Sequence, residues 1–315
     1  MLQRVTVVIR SVGERTEKVC RALILEQGVS AEAVFVVRQA PFSKTLRVGG
    51  KIGLEQKRPW TLFVDADLLL RPGSIPRIVE VGEAQAPKVC QVQGYCLDKF
   101  FGGARPGGIH LYRTSLLGEF LSSIPDEGVD IRPETRALKT MASKGFPWFL
   151  APELAGLHAF AQSYEDIFRT CFVHAHKYPH LFEFLIPYWR SKVELDDDYR
   201  VALAGFSAGI EHSGLVRIDK KAPYFLAAMA RVNLVEKDEL PVSAWDLNRV
   251  EETVIGWVEP VSYWDFFPAG MTSSRSGFFG RAMSGLRIQI GLKGALSGIF
   301  SWLGTAFLFL SRKYG

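Results

Sequence analysis

Three short apolar runs in the first 64 residues constrain the fold more than any other feature of the sequence. They occupy residues 5–9, 34–37 and 61–64, and they are continuous rather than alternating, as is typical of strands buried on both faces. Helical patterns over residues 14–26 and 44–57 separate them. Strand, helix, strand, helix and strand in this order predict a parallel sheet with right-handed crossovers.

The α/β pattern continues to about residue 177. Strands are predicted at residues 88–96, 109–113 and 148–150, and the glycine-rich stretch 101–108 is expected to be a flexible loop that closes over a site. Helices are expected over residues 75–84 and 114–124, from Pro133 to Gly145, and from a Ser163–Asp166 capping box to residue 177. We therefore expect an α/β fold with a Rossmann-like, mostly parallel sheet flanked by helices.

The charge distribution separates the C-terminal residues from the rest of the chain. The net charge is +5, but no Asp or Glu follows Asp265, whereas six Lys and Arg residues do. Residues 294–310 carry no charge and contain a stripe of small residues. An apolar segment with basic flanks favours an anionic membrane surface, as a peripheral or C-terminal anchor, although a buried terminal helix has the same pattern. No motif for nucleic-acid readout is visible, so no nucleic-acid partner is expected.

The four cysteines indicate a reducing compartment. Cys20, Cys90, Cys96 and Cys171 form no CxxC pair and no metal-finger spacing. Because the strand pattern begins at residue 5, no signal peptide is expected. We expect the main body of the protein in the cytoplasm.

An Asp-x-Asp motif ends the third predicted strand. Ligands of parallel α/β sheets bind beyond the carboxyl ends of the strands, where Asp65 and Asp67 would lie. Carboxylate oxygens at that edge suit Mg²⁺ or Mn²⁺, ions that are often shared with substrate phosphates. The alternative is that the pair only caps a turn.

Four segments together resemble the nucleotide-sugar glycosyltransferases of the GT-A fold, of the family-two-like group. They are Val-Thr-Val-Val-Ile-Arg-Ser-Val-Gly-Glu at 5–14, Leu-Phe-Val-Asp-Ala-Asp at 62–67, Arg-Pro-Glu-Thr at 132–135 and Leu-His at 157–158. The resemblance covers residues 4–160, about half of the chain. Together with the charge distribution, it predicts a GT-A catalytic domain at 1–180, an acceptor-side helical extension at 181–265 and a basic amphipathic membrane-associating tail at 266–315.

The resemblance also implies a metal site and a nucleotide site. Asp67 would bind Mn²⁺ or Mg²⁺, Asp65 would face the ribose or the metal, and His158 would be a third metal ligand. Arg10, Glu14 and Lys51 match positions that contact the nucleotide. The alternatives are a salt bridge between Arg10 and Glu14, a surface role for Lys51, and a structural histidine at 158.

The catalytic base implied by the resemblance is Glu134, with Asp130 as the competing candidate. The family usually has Glu-Asp where this chain has Glu134-Thr135, and it often has a base-binding Asp after the second strand, where this chain has Val-Arg-Gln. The alternative is that Glu134 serves only as a favourable charge at a helix N-terminus. His174 and His176 lie two apart on a helix, so a metal pair is rejected.

The implied function is metal-dependent transfer of a sugar from a nucleoside-diphosphate sugar to a hydroxyl of a glycan or lipid-linked acceptor, with inversion. Two alternatives remain open. One is a non-catalytic nucleotide-binding scaffold of the same fold at a membrane. The other is a phosphohydrolase of the haloacid-dehalogenase type, whose Asp-x-Asp motif usually lies nearer the N-terminus and is followed by Thr or Val where this chain has Leu69.

Overall fold

The computed structural model describes residues 1–216, 225, 230 and 232–257. The predicted tail at 266–315 lies outside the described residues. The predicted boundaries at residues 180 and 265 stay predictions.

A seven-stranded sheet forms the centre of the described fold. Its strands are β1 (Val5–Ser11), β2 (Val34–Arg38), β3 (Trp60–Asp65), β4 (Leu68–Leu70), β5 (Gln91–Asp98), β6 (Gly103–Arg113) and β7 (Trp148–His158). They lie in the order β2-β1-β3-β6-β5-β7-β4. The α/β class is confirmed. The sheet is mixed, because three pairings are parallel and the three that involve β6 or β4 are antiparallel.

Nine α-helices flank this sheet or follow it in the described residues. They are α1 (Glu17–Glu26), α2 (Phe42–Gln56), α3 (Ser74–Glu83), α4 (Leu117–Ser123), α5 (Pro133–Ser143), α6 (Tyr164–Lys177), α7 (Phe182–Arg190), α8 (Asp197–Glu211) and α9 (Leu247–Gly256). The predicted capping box is confirmed at α6, where the Ser163 hydroxyl accepts a hydrogen bond from Asp166 N. Helix α1 begins three residues later than predicted, because Glu14 turns back and accepts hydrogen bonds from Ser11 Oγ and Val12 N.

Each face of the sheet has its own hydrophobic core. Val7 and Ile9 of β1 point into a core that includes buried residues of α1 and α3. Val8 points to the opposite face, into a core with buried residues of α2, α4 and α5. This division explains why β1 is apolar at successive positions, as a strand buried on both faces must be.

The glycine-rich stretch 101–108 is not the loop that the sequence predicts. Its residues from Gly103 onward belong to β6, where Ala104 pairs with Leu97 and Pro106 with Tyr95. Gly107 and Gly108 have positive φ, a conformation that glycine adopts without strain. The hairpin satisfies the backbone hydrogen bonds that a loop would leave to water.

Two further differences lie at the far edge of the sheet. Strand β4 is not predicted, since three residues are too few to show a period. Strand β7 extends to His158 rather than ending near residue 150, and Gly156 lets its backbone pass close to Leu69, where a Cβ would be 2.1 Å from the carbonyl oxygen. The extension matters for function because it carries His158 to the end of the strand.

No helix in the described part of the chain is long and apolar enough to cross a membrane.

Candidate active site

Four strands end at the same edge of the sheet. Strands β1, β3, β5 and β7 run in the same direction, because β3 and β5 are both antiparallel to β6. Arg10 is paired with Asp65 across β1 and β3, and Asp98 is paired with His158 across β5 and β7. The chemistry-bearing residues therefore come together because each stands at or next to the last position of its strand.

A cavity of about 270 Å³ opens at this edge. Its charged and histidine side chains are Arg10, Glu14, Asp65, Asp67, Arg105, His110, Arg132, Glu134, His158, Arg169, His174 and Lys177. Of the eight predicted site residues, six line the cavity: Arg10, Glu14, Asp65, Asp67, Glu134 and His158. The other two, Lys51 and Asp130, are not among its lining residues.

Asp65, Asp67 and His158 form a group with the donor set of a divalent-cation site, here called the ligand trio. One ligand atom from each lies within 4.8 Å of the other two. His158 Nε2 lies 3.2 Å from Asp67 Oδ1. Two carboxylate oxygens and an imidazole nitrogen fit Mn²⁺ well and Mg²⁺ through the oxygens. The residues present therefore fit the metal that the resemblance implies.

Asp98 holds His158 from the side opposite Asp67. Its Oδ2 lies 2.9 Å from His158 Nδ1, and the carboxylate is fully buried. Asp98 also accepts hydrogen bonds from Arg105 Nε and from the backbone N–H groups of Phe100 and Phe101. A carboxylate on Nδ1 leaves Nε2 as the ligating nitrogen, which is the usual support of a metal-binding histidine.

The charges around the ligand trio fix its protonation. Burial raises the pKa of Asp67, but His158, Arg169 and Arg105 outweigh it and lower that pKa to about 2. Burial lowers the pKa of His158, whereas Asp67 and Asp98 raise it well above its ordinary value. Without a metal the imidazole thus carries a second proton, which it must lose in order to act as a ligand.

Arg10 connects the ligand trio to the predicted base. Its Nε donates to Asp65 Oδ1 at 2.8 Å, and its Nη1 lies 2.9 Å from both carboxylate oxygens of Glu134. Arg10 is only 4% exposed, and although burial opposes it, the two carboxylates raise its pKa. The alternative of an Arg10–Glu14 salt bridge is wrong, because Arg10 pairs with Asp65 and Glu134 instead.

Glu134 is a buried anion at the first turn of α5. Besides Arg10, the Tyr112 hydroxyl donates to its Oε1 at 2.6 Å, and His110 Nδ1 lies 3.7 Å away. Burial raises the pKa of Glu134, but Arg10, His110 and the Tyr112 hydrogen bond lower it to about 2. Burial lowers the pKa of His110, so its ring is neutral at pH 7. Glu134 therefore faces the cavity as a carboxylate at every physiological pH.

The pKa of Glu14 is shifted in the opposite direction to that of Glu134. Burial, together with the charges of Asp67 and Asp166, raises its pKa to about 7 against the attraction of Arg169, whose Nη2 lies 3.6 Å from Glu14 Oε1. Glu14 is consequently a cavity carboxyl that titrates near neutral pH.

Lys51 and Asp130 lie away from these contacts. Lys51 is exposed on α2, because this helix turns its glycines toward the interior: a Cβ on Gly49 would be 2.4 Å from Phe63, and one on Gly53 would be 2.4 Å from Thr61. Asp130 caps the approach to α5 by accepting a hydrogen bond from Arg132 N.

Several residues of the site are not identified from the sequence. Asp98, Arg105, Arg169 and Lys177 contribute to the cavity or its supports, and Tyr112 reaches Glu134. Of these residues, only Asp98 has a sequence feature that could have identified it, because it ends a strand as Asp65 does. The predicted strand, however, stops two residues before Asp98. The cations are brought in by α6 and β6, whose positions depend on tertiary packing.

No family model matches the chain, and no curated protein matches it. Among solved structures, the chain is similar to the mannosyltransferase PcManGT from Pyrobaculum calidifontis in complex with GDP-Man and Mn²⁺, at 14% identity and a TM-score of 0.39 over 80% of this chain and 85% of that chain. It is also similar to a glycosyltransferase involved in the glycosylation of the major capsid of PBCV-1, at 12% identity and a TM-score of 0.33 over 47% and 80%.

A third solved structure is CMP:2-keto-3-deoxy-manno-octonic acid synthetase complexed with CTP, at 11% identity and a TM-score of 0.32, covering 49% of this chain and 92% of that chain. The solved structures similar to this chain thus include glycosyltransferases and nucleotidyltransferases.

Proposed function

We propose that the protein is a metal-dependent glycosyltransferase that moves a sugar from a nucleoside-diphosphate sugar to an acceptor hydroxyl, with inversion. The observation that carries the proposal is the juxtaposition, through Arg10, of the ligand trio and Glu134 in one cavity. A sugar transfer needs both: a site that neutralises the departing diphosphate and a carboxylate that takes the proton of the acceptor hydroxyl.

Asp65, Asp67 and His158 would hold Mn²⁺ or Mg²⁺ in this proposal. The metal, when bound, supplies Lewis-acid stabilisation of the departing diphosphate. Asp98 keeps the His158 ring oriented through Nδ1, and Arg10 fixes Asp65 by its Nε hydrogen bond. Glu14 lies in the loop after β1 and lines the cavity, although Ser11 Oγ and Val12 N already donate to one of its carboxylate oxygens.

Glu134 is the proposed base. A carboxylate with a pKa of about 2 is a weak base toward a free hydroxyl. The hydroxyl becomes strongly acidic, however, as its oxygen bonds to the anomeric carbon, so a weak base can take the proton late in the displacement. Arg10 and Tyr112 hold the carboxylate in one orientation meanwhile, which reduces the entropy cost of the transition state. Asp130, outside the cavity lining, is the less suitable candidate.

The test uses purified full-length protein and a panel of UDP-, GDP- and dTDP-sugars with and without Mn²⁺. We expect one nucleotide to raise the melting temperature only in the presence of the metal. Asp67→Ala should abolish that shift and reduce donor turnover at least about 100-fold, since outer supports alone are worth 10–100-fold.

Two further variants separate the base from its competitor. Glu134→Gln should abolish transfer but keep nucleotide binding, whereas Asp130→Asn should retain most of the activity. Full turnover in Asp67→Ala would refute metal-dependent transfer. Binding without any transfer or hydrolysis of the sugar donor would favour the non-catalytic scaffold.

A further inference from the structure

Five cationic side chains line the cavity, and only three of them are balanced by carboxylates. Arg10 pairs with Asp65 and Glu134, Arg105 with Asp98, and Arg169 with Glu14 and Asp166. The remaining two are Arg132 and Lys177. Within residues 1–216 and the other described positions, neither of these two side chains has a carboxylate partner. We call Arg132 and Lys177 the cationic pair.

The cationic pair is held together by contacts of the chain itself. Arg132 Nη2 donates a hydrogen bond to the backbone oxygen of Lys177, and the Arg132 guanidinium lies 4.3 Å from the centroid of the Tyr178 ring. These contacts join the residue before α5 to the last turn of α6. They use one edge and one face of the guanidinium and leave its other N–H groups and the Lys177 ammonium for a ligand.

The pair is also electrostatically costly in the absence of an anion. Both side chains are half-buried. Burial, together with the neighbouring charges of Arg132 and Arg105, outweighs the attraction of Asp65 and lowers the pKa of Lys177 to about 7. Like charges that are gathered in a cleft with too little counter-charge destabilise each other, and an anion placed between them relieves both costs. The arrangement is therefore that of an anion site.

The position of the pair indicates which substrate supplies the anion. Arg132 immediately precedes α5 and stands two residues before Glu134, the proposed base for the acceptor hydroxyl. The ligand trio, by contrast, lies at the ends of β3 and β7 and in the turn after β3, and it would take the donor diphosphate. Because Arg132 stands next to the start of the helix that carries Glu134, an anion at the cationic pair is expected to come from the acceptor.

We propose that Arg132 and Lys177 form a subsite for a phosphate monoester carried by the acceptor. This inference rests on the proposed glycosyltransferase function. A planar guanidinium that can bind two oxygens and a flexible ammonium together supply up to two positive charges, which match a phosphate monoester of charge −1.5 to −2 better than a single carboxylate. The phosphate can belong to a lipid phosphate or to a soluble phosphosugar.

The experiment measures binding by isothermal titration to metal-free full-length protein. Farnesyl phosphate and glucose 6-phosphate are the probes for the two sources, and farnesol and glucose are their phosphate-free counterparts. We expect one phosphate probe to bind and its counterpart not to bind at the same concentration. Lys177→Gln and Arg132→Gln should each weaken that binding about 30-fold, the typical value of one charge-assisted hydrogen bond.

Three controls make the result specific. Lys139→Gln removes an exposed lysine of α5 outside the cavity and should change nothing. Lys177→Arg should recover most of the affinity. The affinity for UDP or GDP with Mn²⁺, whichever binds, should remain within about twofold in all variants, because the donor phosphates are held elsewhere.

The proposal is overturned if neither phosphate probe binds better than its counterpart, or if the two Gln variants bind the phosphate probe as wild type does. It is also overturned if those variants lose nucleotide–Mn²⁺ binding instead, since the pair would then serve the donor. If no nucleotide binds in the presence of Mn²⁺, the proposed glycosyltransferase function is refuted but the phosphate subsite is not. The subsite is tested separately, because binding of the phosphate probes is measured in metal-free protein.

Discussion

The contacts of Arg10 favour a structural role over the nucleotide contact that the sequence resemblance implies. Its guanidinium keeps Asp65 and Glu134, carboxylates 69 positions apart in the sequence, in fixed orientations. The same contacts occupy it, so it is less available to the nucleotide that the sequence resemblance assigns to it. A buried cation between two carboxylates is a rigid connector, and we expect its substitution to disturb both ends of the site.

Asp98 has the most clearly defined contacts with the proposed metal site, through His158. Asp98→Asn removes the charge that orients His158 and leaves Arg105 buried without its carboxylate. We expect Mn²⁺ affinity to fall about 10–100-fold and the free energy of unfolding to fall by about 3 kcal/mol. Mn²⁺ titration followed by electron paramagnetic resonance, and urea denaturation, measure the two effects.

Asp197→Asn is the matched control for Asp98→Asn. Asp197 is exposed in the first turn of α8, and among the described residues its salt-bridge partner is Arg200, so its loss should change the free energy of unfolding by less than about 1 kcal/mol. Unchanged Mn²⁺ affinity in a folded Asp98→Asn protein would contradict the orienting role.

Glu14 gives the protein a pH-dependent stability with a defined sign. Its pKa is raised from 4.5 to about 7, so the folded state binds this proton more tightly than the unfolded state does. The free energy of unfolding therefore decreases as the pH rises from about 4.5 to 7, by about 3 kcal/mol at most from this group.

Glu14→Gln should remove this dependence. Urea denaturation in EDTA at pH 5 and pH 8 should show a smaller difference between the two pH values in the variant than in wild type. The exposed Glu55→Gln serves as the control and should leave the difference unchanged. An equal pH dependence in Glu14→Gln and wild type would show that the buried carboxyl is not its source.

At the scale of elements, the contact between α6 and α8 positions one wall of the cavity. Gly205 and Gly209 of α8 lie against backbone atoms of α6, where a Cβ would be 2.4 Å and 2.5 Å from the carbonyl oxygens of Phe168 and Phe172. Helix α6 carries Arg169, His174 and Lys177 into the cavity. Because the two helices touch at backbone level, a small displacement of α8 moves these side chains.

Gly205→Ala tests this packing. The methyl group must push α6 and α8 apart, and we expect the free energy of unfolding to fall by about 2–3 kcal/mol. Gly118→Ala on α4 is the control: no atom lies within 4 Å of its new Cβ, and the change should be neutral or stabilising by at most about 1 kcal/mol. Chemical denaturation measures the free energy of unfolding of both variants. Equal values would mean that α6 and α8 can move apart to accommodate the methyl group without loss of stability.

At the scale of the whole molecule, the distribution of charge divides the chain into two parts. The basic excess lies after Asp265, outside the described residues, and the rest of the chain is nearly neutral. We predict that full-length protein sediments with vesicles that contain phosphatidylserine. Replacing the six basic tail residues by Gln should weaken this binding at least about 100-fold, since each contributes about 1 kcal/mol near an anionic surface. These residues are Arg275, Arg281, Arg287, Lys293, Arg312 and Lys313.

The control for the tail variant changes Arg136 and Lys139, two exposed cations of the main body, and should leave sedimentation unaltered. Added salt should weaken the wild-type interaction, because exposed charges are screened. Binding that survives the six substitutions at high salt would indicate a hydrophobic attachment through residues 294–310 instead.

The sequence by itself determined three of the strands, and burial on both faces is correct for β1 and β3 but wrong for β2, which lies at the sheet edge and is only partly buried. The apolar runs at β1, β2 and β3 predict a central sheet, and Asp65 and Asp67 mark one strand end by local sequence alone. The Ser163–Asp166 cap and Pro133 likewise fix the starts of two helices, because both depend only on neighbours in sequence.

Only the tertiary structure decided what these strand ends meet. Strand β6 inserts between β3 and β5, which aligns β5 and β7 with β1 and β3 and brings Asp98 and His158 to the sheet edge where Asp65 and Asp67 lie. The pairing of Arg10 with Glu134 and the approach of Lys177 to Arg132 join residues up to 124 positions apart. Such contacts depend on strand order and helix packing, which no local pattern specifies, and they determine the charge and orientation of every group in the cavity.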